Sequence, residues 1–193
     1  ARIPTGMTCV THRARLVLIL VIAAGAVSPA FGQSSAYYDF LMARHFESQG
    51  DQDAALAALE RAASGDPKSA EVRAEIASFY LRRNRRADAE NTAVAALRID
   101  DGNAAAHRVL GLIYSNNVDA MNARTPAAQL QSAVNDAIQH LERAVTAEGE
   151  TGIDILYALG RMYMRGNDFT KAVGAFTRVV NQNPTSAQAR LSL

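Results

Sequence analysis

The chain has 193 residues, of which 49% are hydrophobic and 6% aromatic, with no tryptophan and a formal charge of +1. That length and apolar content suffice for the buried core of one or two domains. The near-neutral balance leaves no electrostatic footprint for nucleic acid, and abundant alanine beside few aromatics favours closely packed helices over sheets.

The first segment reads as a targeting leader. Arg13 and Arg15 precede the apolar run Leu16 to Val27, and Ala30-Phe31-Gly32 follows. A basic head, an apolar stretch short of the ~20 residues of a membrane span, and a small-residue end describe a secretory signal. Residues 1–32 are assigned to it, with cleavage before Gln33 and Met7 as a candidate true start. An uncleaved anchor is the alternative, and membrane contact would then run through this segment alone. Cys9 is the only cysteine and lies ahead of the apolar run, away from the cut, which argues against a lipid anchor. The mature part then has no disulfide and no thiolate chemistry. Removing residues 1–32 takes Arg2, Arg13 and Arg15 but no acid, so the charge moves from +1 to −2. The expected location is the periplasm or cell envelope.

Beyond the leader the sequence repeats. Ala43, Phe46, Gly50, Ala55, Ala62 and Pro67 are followed 34 residues later by Ala77, Tyr80, Asn84, Ala89, Ala96 and Asp101. Gly160, Tyr163, Asn167, Ala172, Val179 and Pro184 keep the same internal spacings. Leu110, Gly111 and Tyr114 open a further copy that resumes at Ala137, Leu141 and Ala144. A small residue three places before an aromatic shares its helix face. The small residue admits a second helix and the aromatic fills the space alongside. Gly50, Asn84 and Asn167 fall at the bend, where left-handed backbone costs least. Pro67 and Pro184 stop the second helices. Arg165-Gly166-Asn167-Asp168 therefore reads as a bend, with Asp168 capping the next helix.

These residues resemble the tetratricopeptide repeat (TPR) family, whose unit is a helix, a turn and a helix. The pairs Ala43/Phe46, Ala77/Tyr80, Gly111/Tyr114 and Gly160/Tyr163 carry the likeness, with Ala55, Ala89, Ala137 and Ala172 in the second helices. The family's tryptophan near each repeat start is missing, and Asp39, Arg73, His107 and Leu156 stand in its place. The resemblance covers Ala36 to the end. It implies an all-α fold, a right-handed superhelical solenoid of helix-turn-helix repeats behind the signal peptide. The domain is expected at 33–193, with repeats at about 36–69, 70–103, 104–151 and 153–186 and a truncated fifth at 187–193. The third repeat carries 14 extra residues between Tyr114 and Ala137. They predict a loop over Asn116 to Arg124, then a second helix lengthened at its start, with Thr125-Pro126 as cap and first turn. Such an insertion, around Asn116 to Ala133, maps to one edge of a solenoid. More repeats or another domain are expected beyond Leu193.

Patterns of chemistry are sparse. His45, His107 and His140 fall in different helices without a carboxylate or cysteine at ligand spacing, and read as partly exposed packing residues. Asp51/Asp53 and Asp100/Asp101 lack the glycine and distal glutamate of a calcium loop and read as helix-start charges. No phosphate-loop, dinucleotide or nucleophile-elbow pattern occurs. The expectation is a protein with no catalytic residues, metal or cofactor. Arg82, Arg83, Arg85 and Arg86 read as a solvated bend offset by Asp88 and Glu90, ahead of a site for an anionic polymer.

The resemblance implies binding along the inner face of the first helices. It selects Tyr37, Phe40, Arg44 and Glu47 in the first repeat and Glu71, Ser78 and Arg82 in the second. The third supplies Arg108, Leu112 and Asn116, and the fourth Asp154, Tyr157, Arg161, Met164 and Arg165. Arginine with scattered aromatics is the mix enriched at protein interfaces, suited to an acidic or extended peptide. The family's chaperone-binding clamp is absent, since Phe40 and Arg44 stand where lysine and asparagine are needed. The expected function is a non-catalytic envelope scaffold that holds a protein or peptide and no nucleic acid. The alternative is the amino-terminal arm of a larger exopolysaccharide-export or envelope enzyme.

Overall fold

A computed structural model describes residues 30–146 and 152–184. Residues 1–29 of the expected leader and the expected fifth repeat lie outside the described residues, whereas residues 30–32 fall in the first helix. Among those described there are eight helices: α1 (Ala30–Gln49), α2 (Gln52–Gly65), α3 (Ala70–Arg82), α4 (Arg86–Leu97), α5 (Ala104–Ala120), α6 (Ala127–Thr146), α7 (Ile153–Arg165) and α8 (Phe169–Gln182). Each odd-numbered helix packs on the even one after it. The pairs then stack: α2 on α3, α4 on α5 and α6 on α7, while α3, α5 and α7 lie side by side. The result is an all-α solenoid.

The expected bends form where local chemistry favours them. Gly50, Asn84 and Asn167 have φ of 78°, 57° and 61°, the left-handed region that glycine and asparagine enter most cheaply. The starts of α2, α3, α5 and α8 are capped by side-chain oxygens that accept otherwise orphaned N–H groups. Asp51 accepts from Ala54 N at 3.1 Å and Asp168 from Lys171 N at 3.1 Å. At α5 the cap is Asn103, which accepts from Ala106 N at 2.9 Å. Asp100 does not serve as a helix-start charge: its carboxylate accepts from Gly102 N at 3.0 Å and shapes the preceding turn. Helices α2 and α8 stop two residues before Pro67 and Pro184.

Close approach explains the small residues. A Cβ at Gly111 would lie 2.7 Å from Leu141 Cδ2, and one at Gly160 would lie 2.7 Å from Phe176 Cε1. Ala43 and Ala77, at the matching places, are buried. The aromatics three residues on tie one pair to the one before. Tyr114 donates to Glu90 on α4 at 3.2 Å, and Tyr163 donates to Glu142 on α6 at 2.6 Å. Burial and then the facing carboxylate raise the pKa of both phenols, so each stays protonated as a donor. Apolar clusters bridge successive pairs. Leu59, Ile76 and Phe79 join the first to the second, and Ala77, Ala93, Leu110 and Ile113 join the second to the third. Val134, Leu141, Met162 and Phe176 join the third to the fourth.

The extra residues of the third pair are mostly helical. Helix α5 runs on to Ala120, so the predicted loop from Asn116 gives way to a connection of residues 121–126. The physical reason is Val118: it is fully buried with Val134 in the cluster shared with α7 and α8, which rewards continuing the helix. The expected lengthening of α6 at its start is found, and Pro126 accepts from Leu130 N at 3.0 Å.

Candidate functional site

Residues spaced by three or four on a helix share one stripe, and this places the selected side chains of α1, α3, α5 and α7 along a common face. Tyr37 is 65% exposed and Phe40 half-buried at its amino-terminal end. Arg44 and Glu47 follow one and two turns later on α1. Asn116 is exposed near the end of α5, and Met164 and Arg165 are exposed at the end of α7.

The face arginines are largely engaged by carboxylates of the neighbouring first helix. Arg44 donates to Glu75 at 3.0 Å, and Arg82 reaches both Glu47 at 2.5 Å and Glu75 at 3.2 Å. Burial disfavours the charge on Arg82, but the hydrogen bonds and attraction of Glu47 and Glu75 outweigh it and raise its pKa. Arg108 pairs with Asp154 at 2.6 Å. Arg161 lies 2.6 Å from Asp119, outside hydrogen-bond alignment, and 5.5 Å from the Tyr157 ring centroid. Tyr157 in turn packs edge-on against Phe176. Thus Arg44, Glu47 and Arg82 are brought together, as are Arg108 with Asp154 and Tyr157 with Arg161. Tyr37, Phe40, Asn116 and Arg165 stand apart from these pairs.

Among the described residues, hollows open on this face. One of about 370 Å³ is lined by Ala36, Tyr37, Phe40 and Val72, with Asp66, Ser69 and Glu71. Another, about 200 Å³, lies between α3, α5 and α7 against Ser78, Leu81, Val109 and Leu112, with Arg82, Arg108 and Asp154 around it. Sequence reasoning missed Asp66, Ser69 and Val72, which reach the first hollow only because the α2–α3 link folds back beside α1. It also missed Glu75 and Asp119, the carboxylates that hold Arg44, Arg82 and Arg161. The charge of the second lay in the insertion, where helix register could not be read.

The dense arginine run is dispersed into local contacts. Arg83 covers the Phe79 ring, Arg85 pairs with Asp88 at 2.7 Å and covers Tyr80, and Arg86 donates to Asn84 at 3.3 Å. Asp88 offsets the run as expected, whereas Glu90 serves Tyr114 instead.

The expectation of partly exposed packing residues is met at His140, which is half-buried, and corrected at His107, which is buried. His45 is exposed, 3.1 Å from Gln49. His107 is only 2% exposed, and its Nδ1 lies 2.8 Å from Nδ1 of His140 on the facing helix. Its Nε2 is 2.9 Å from the Asp101 carbonyl, and Arg143 reaches the same carbonyl at 3.2 Å. An α5–α6 packing surface brings together residues 33 apart in the chain, so no short-range spacing announces the pair. Among the described residues no three His, Cys, Asp or Glu side chains converge as a metal-ligand set. Nor is any described helix long and apolar enough to cross a membrane.

Comparison with known proteins matches the architecture. Family models described as tetratricopeptide repeat match residues 47–113 and 154–186, together just over half of the chain. No curated protein matches the sequence significantly. Among solved structures, MamA is 22% identical at a TM-score of 0.57, over 78% of this chain and 80% of that one. The PilF protein of Pseudomonas aeruginosa is 18% identical at a TM-score of 0.63, over 84% of this chain and 67% of that one. PilW, a type IV pilus biogenesis factor, is 16% identical at a TM-score of 0.62, over 80% of this chain and 64% of that one. Identities this low speak for the fold alone. With the repeated small-aromatic pairs, the left-handed bends and the stacked helix pairs, they lead to one conclusion: the chain belongs to the tetratricopeptide repeat family.

Proposed function

We propose that this chain is an exported, non-catalytic interaction scaffold, with a leader at 1–32 and a binding domain at 33–193. It holds an extended protein segment along the first-helix face in the periplasm or cell envelope. The observation that carries the reading is the stripe along the first helices from Tyr37 to Arg165, in which exposed Tyr37 and half-buried Phe40 and Tyr157 accompany polar groups held in place by cross-helix ion pairs. Side chains fixed before binding lose little entropy when a partner arrives, so more of the contact energy becomes affinity. Export is supported by the basic-apolar pattern of the first segment, and an envelope role accords with the pilus biogenesis factor PilW among the structural neighbours.

The test is capture from envelope extracts by the full chain, compared with a variant carrying Arg44→Ala, Arg108→Ala and Arg165→Ala. Captured proteins are identified by mass spectrometry, and the leading one is purified and titrated directly. The expected outcome is one protein bound by the wild type and weakened roughly tenfold or more by the variant, with helicity retained. Identical capture by both proteins sinks the face-binding reading.

A further inference from the structure

The hollow beside α1 differs electrically from the rest of the face. Its walls are the rings of Tyr37 and Phe40 and the side chain of Val72, and its rim holds Asp66 and Glu71; among the described residues no cation lines it. Farther along, Glu47, Glu75, Asp119 and Asp154 are each held by an arginine. The two rim carboxylates are not. Among the described residues, Glu71 accepts only a marginal 3.5 Å contact from Asn103, and Asp66 accepts one backbone N–H from Lys68 at 3.2 Å. The nearby arginines point elsewhere: Arg44 toward Glu75 and Arg73 to the Pro67 carbonyl at 2.7 Å. Unneutralised negative charge therefore borders an apolar floor whose outer wall, Tyr37, is 65% exposed. At about 370 Å³ the space falls within the range of ligand sites, about 300–1,000 Å³.

We propose that this hollow takes an apolar or aromatic side chain of an extended protein segment that carries lysine or arginine beside it. The apolar side chain sits against Phe40 and Val72. The flanking cation meets Asp66 and Glu71 and lies over the Tyr37 ring, where the electron-rich face adds attraction. The inference rests on the face-binding reading and assigns the chemistry of the segment that enters it first. It also replaces the acidic peptide expected from the arginines alone, because Arg44, Arg82, Arg108 and Arg161 already hold carboxylates of this chain.

Fluorescence anisotropy tests it with labelled, end-blocked twelve-residue peptides in a Gly-Ser background, titrated with the full chain. One carries a central Phe between two Lys, one the same Phe between two Glu, and one Ser between two Lys. The Lys-Phe peptide should bind at least roughly tenfold tighter than either control. Tyr37→Ser and Glu71→Gln, both at exposed positions, should each weaken it several-fold while leaving the circular dichroism unchanged. Equal binding of the Lys- and Glu-flanked peptides overturns the proposal. So does indifference to both substitutions, or no binding by any peptide at millimolar concentration. If that happens while the extract capture still depends on the face arginines, only the hollow's assignment fails. If the capture is also insensitive, the face reading falls with it.

Discussion

His107 and His140 show how much a single side-chain contact can add. His107 Nε2 lies 2.9 Å from the Asp101 carbonyl, which can only accept, and 3.3 Å from Arg143 Nη1, which can only donate, while its Nδ1 shares one hydrogen with His140 Nδ1 2.8 Å away. The contact holds for neutral rings; two charged rings 2.8 Å apart would repel. Burial, and then the neighbouring His107, lower the pKa of His140; Arg143 acts the same way and Asp136 opposes them. The unfolded chain therefore binds protons first as the pH drops below about 6.5. Stability is fully present above that value and is lost as the pH falls toward the lowered folded pKa. The urea midpoint should drop between pH 7.5 and 5, and the drop should shrink in His140→Asn, which keeps a hydrogen-bonding side chain. An undiminished drop in the variant would place the titration elsewhere.

Helices meet closely only where the sequence leaves room. At Gly160 the opposing group is the Phe176 ring, itself buried and wedged against Tyr157, so it has little freedom to retreat. Gly160→Ala should raise intrinsic helix propensity yet destabilise the protein by about 1–3 kcal/mol, because overpacking outweighs propensity. Chemical denaturation measures this, and a stabilised variant would show that α7 and α8 can separate without cost. The same element logic governs the insertion. Buried Val118 and Val134 convert most of it into helix, and the extended α5 then supplies Asp119 to Arg161.

Across the whole molecule, stacking makes each helix pair depend on its neighbours. Apolar clusters supply the adhesion, while the ion pairs on the first-helix face set alignment more than stability. Both partners of Arg108–Asp154 are about half exposed, and such a pair contributes about 1 kcal/mol or less. A double-mutant cycle with Arg108→Ala and Asp154→Ala should give a coupling no larger than this, fading in high salt. A coupling of several kcal/mol would mean that the array is held by charge instead of apolar burial.

What the sequence by itself determined was the repeat. Bends at Gly50, Asn84 and Asn167, the Asp168 cap, and the small residues at Gly111 and Gly160 are all set by interactions over a few residues or by a fixed period, which a linear reading can see. The tertiary structure decided the electrostatics of the face. Glu75 beside Arg44, Asp119 beside Arg161, the His107–His140 contact, and Asp66 returning to Tyr37 all depend on how adjacent helices settle to within an ångström. Periodicity places a residue on a face, but only the packed helices decide which neighbour it meets.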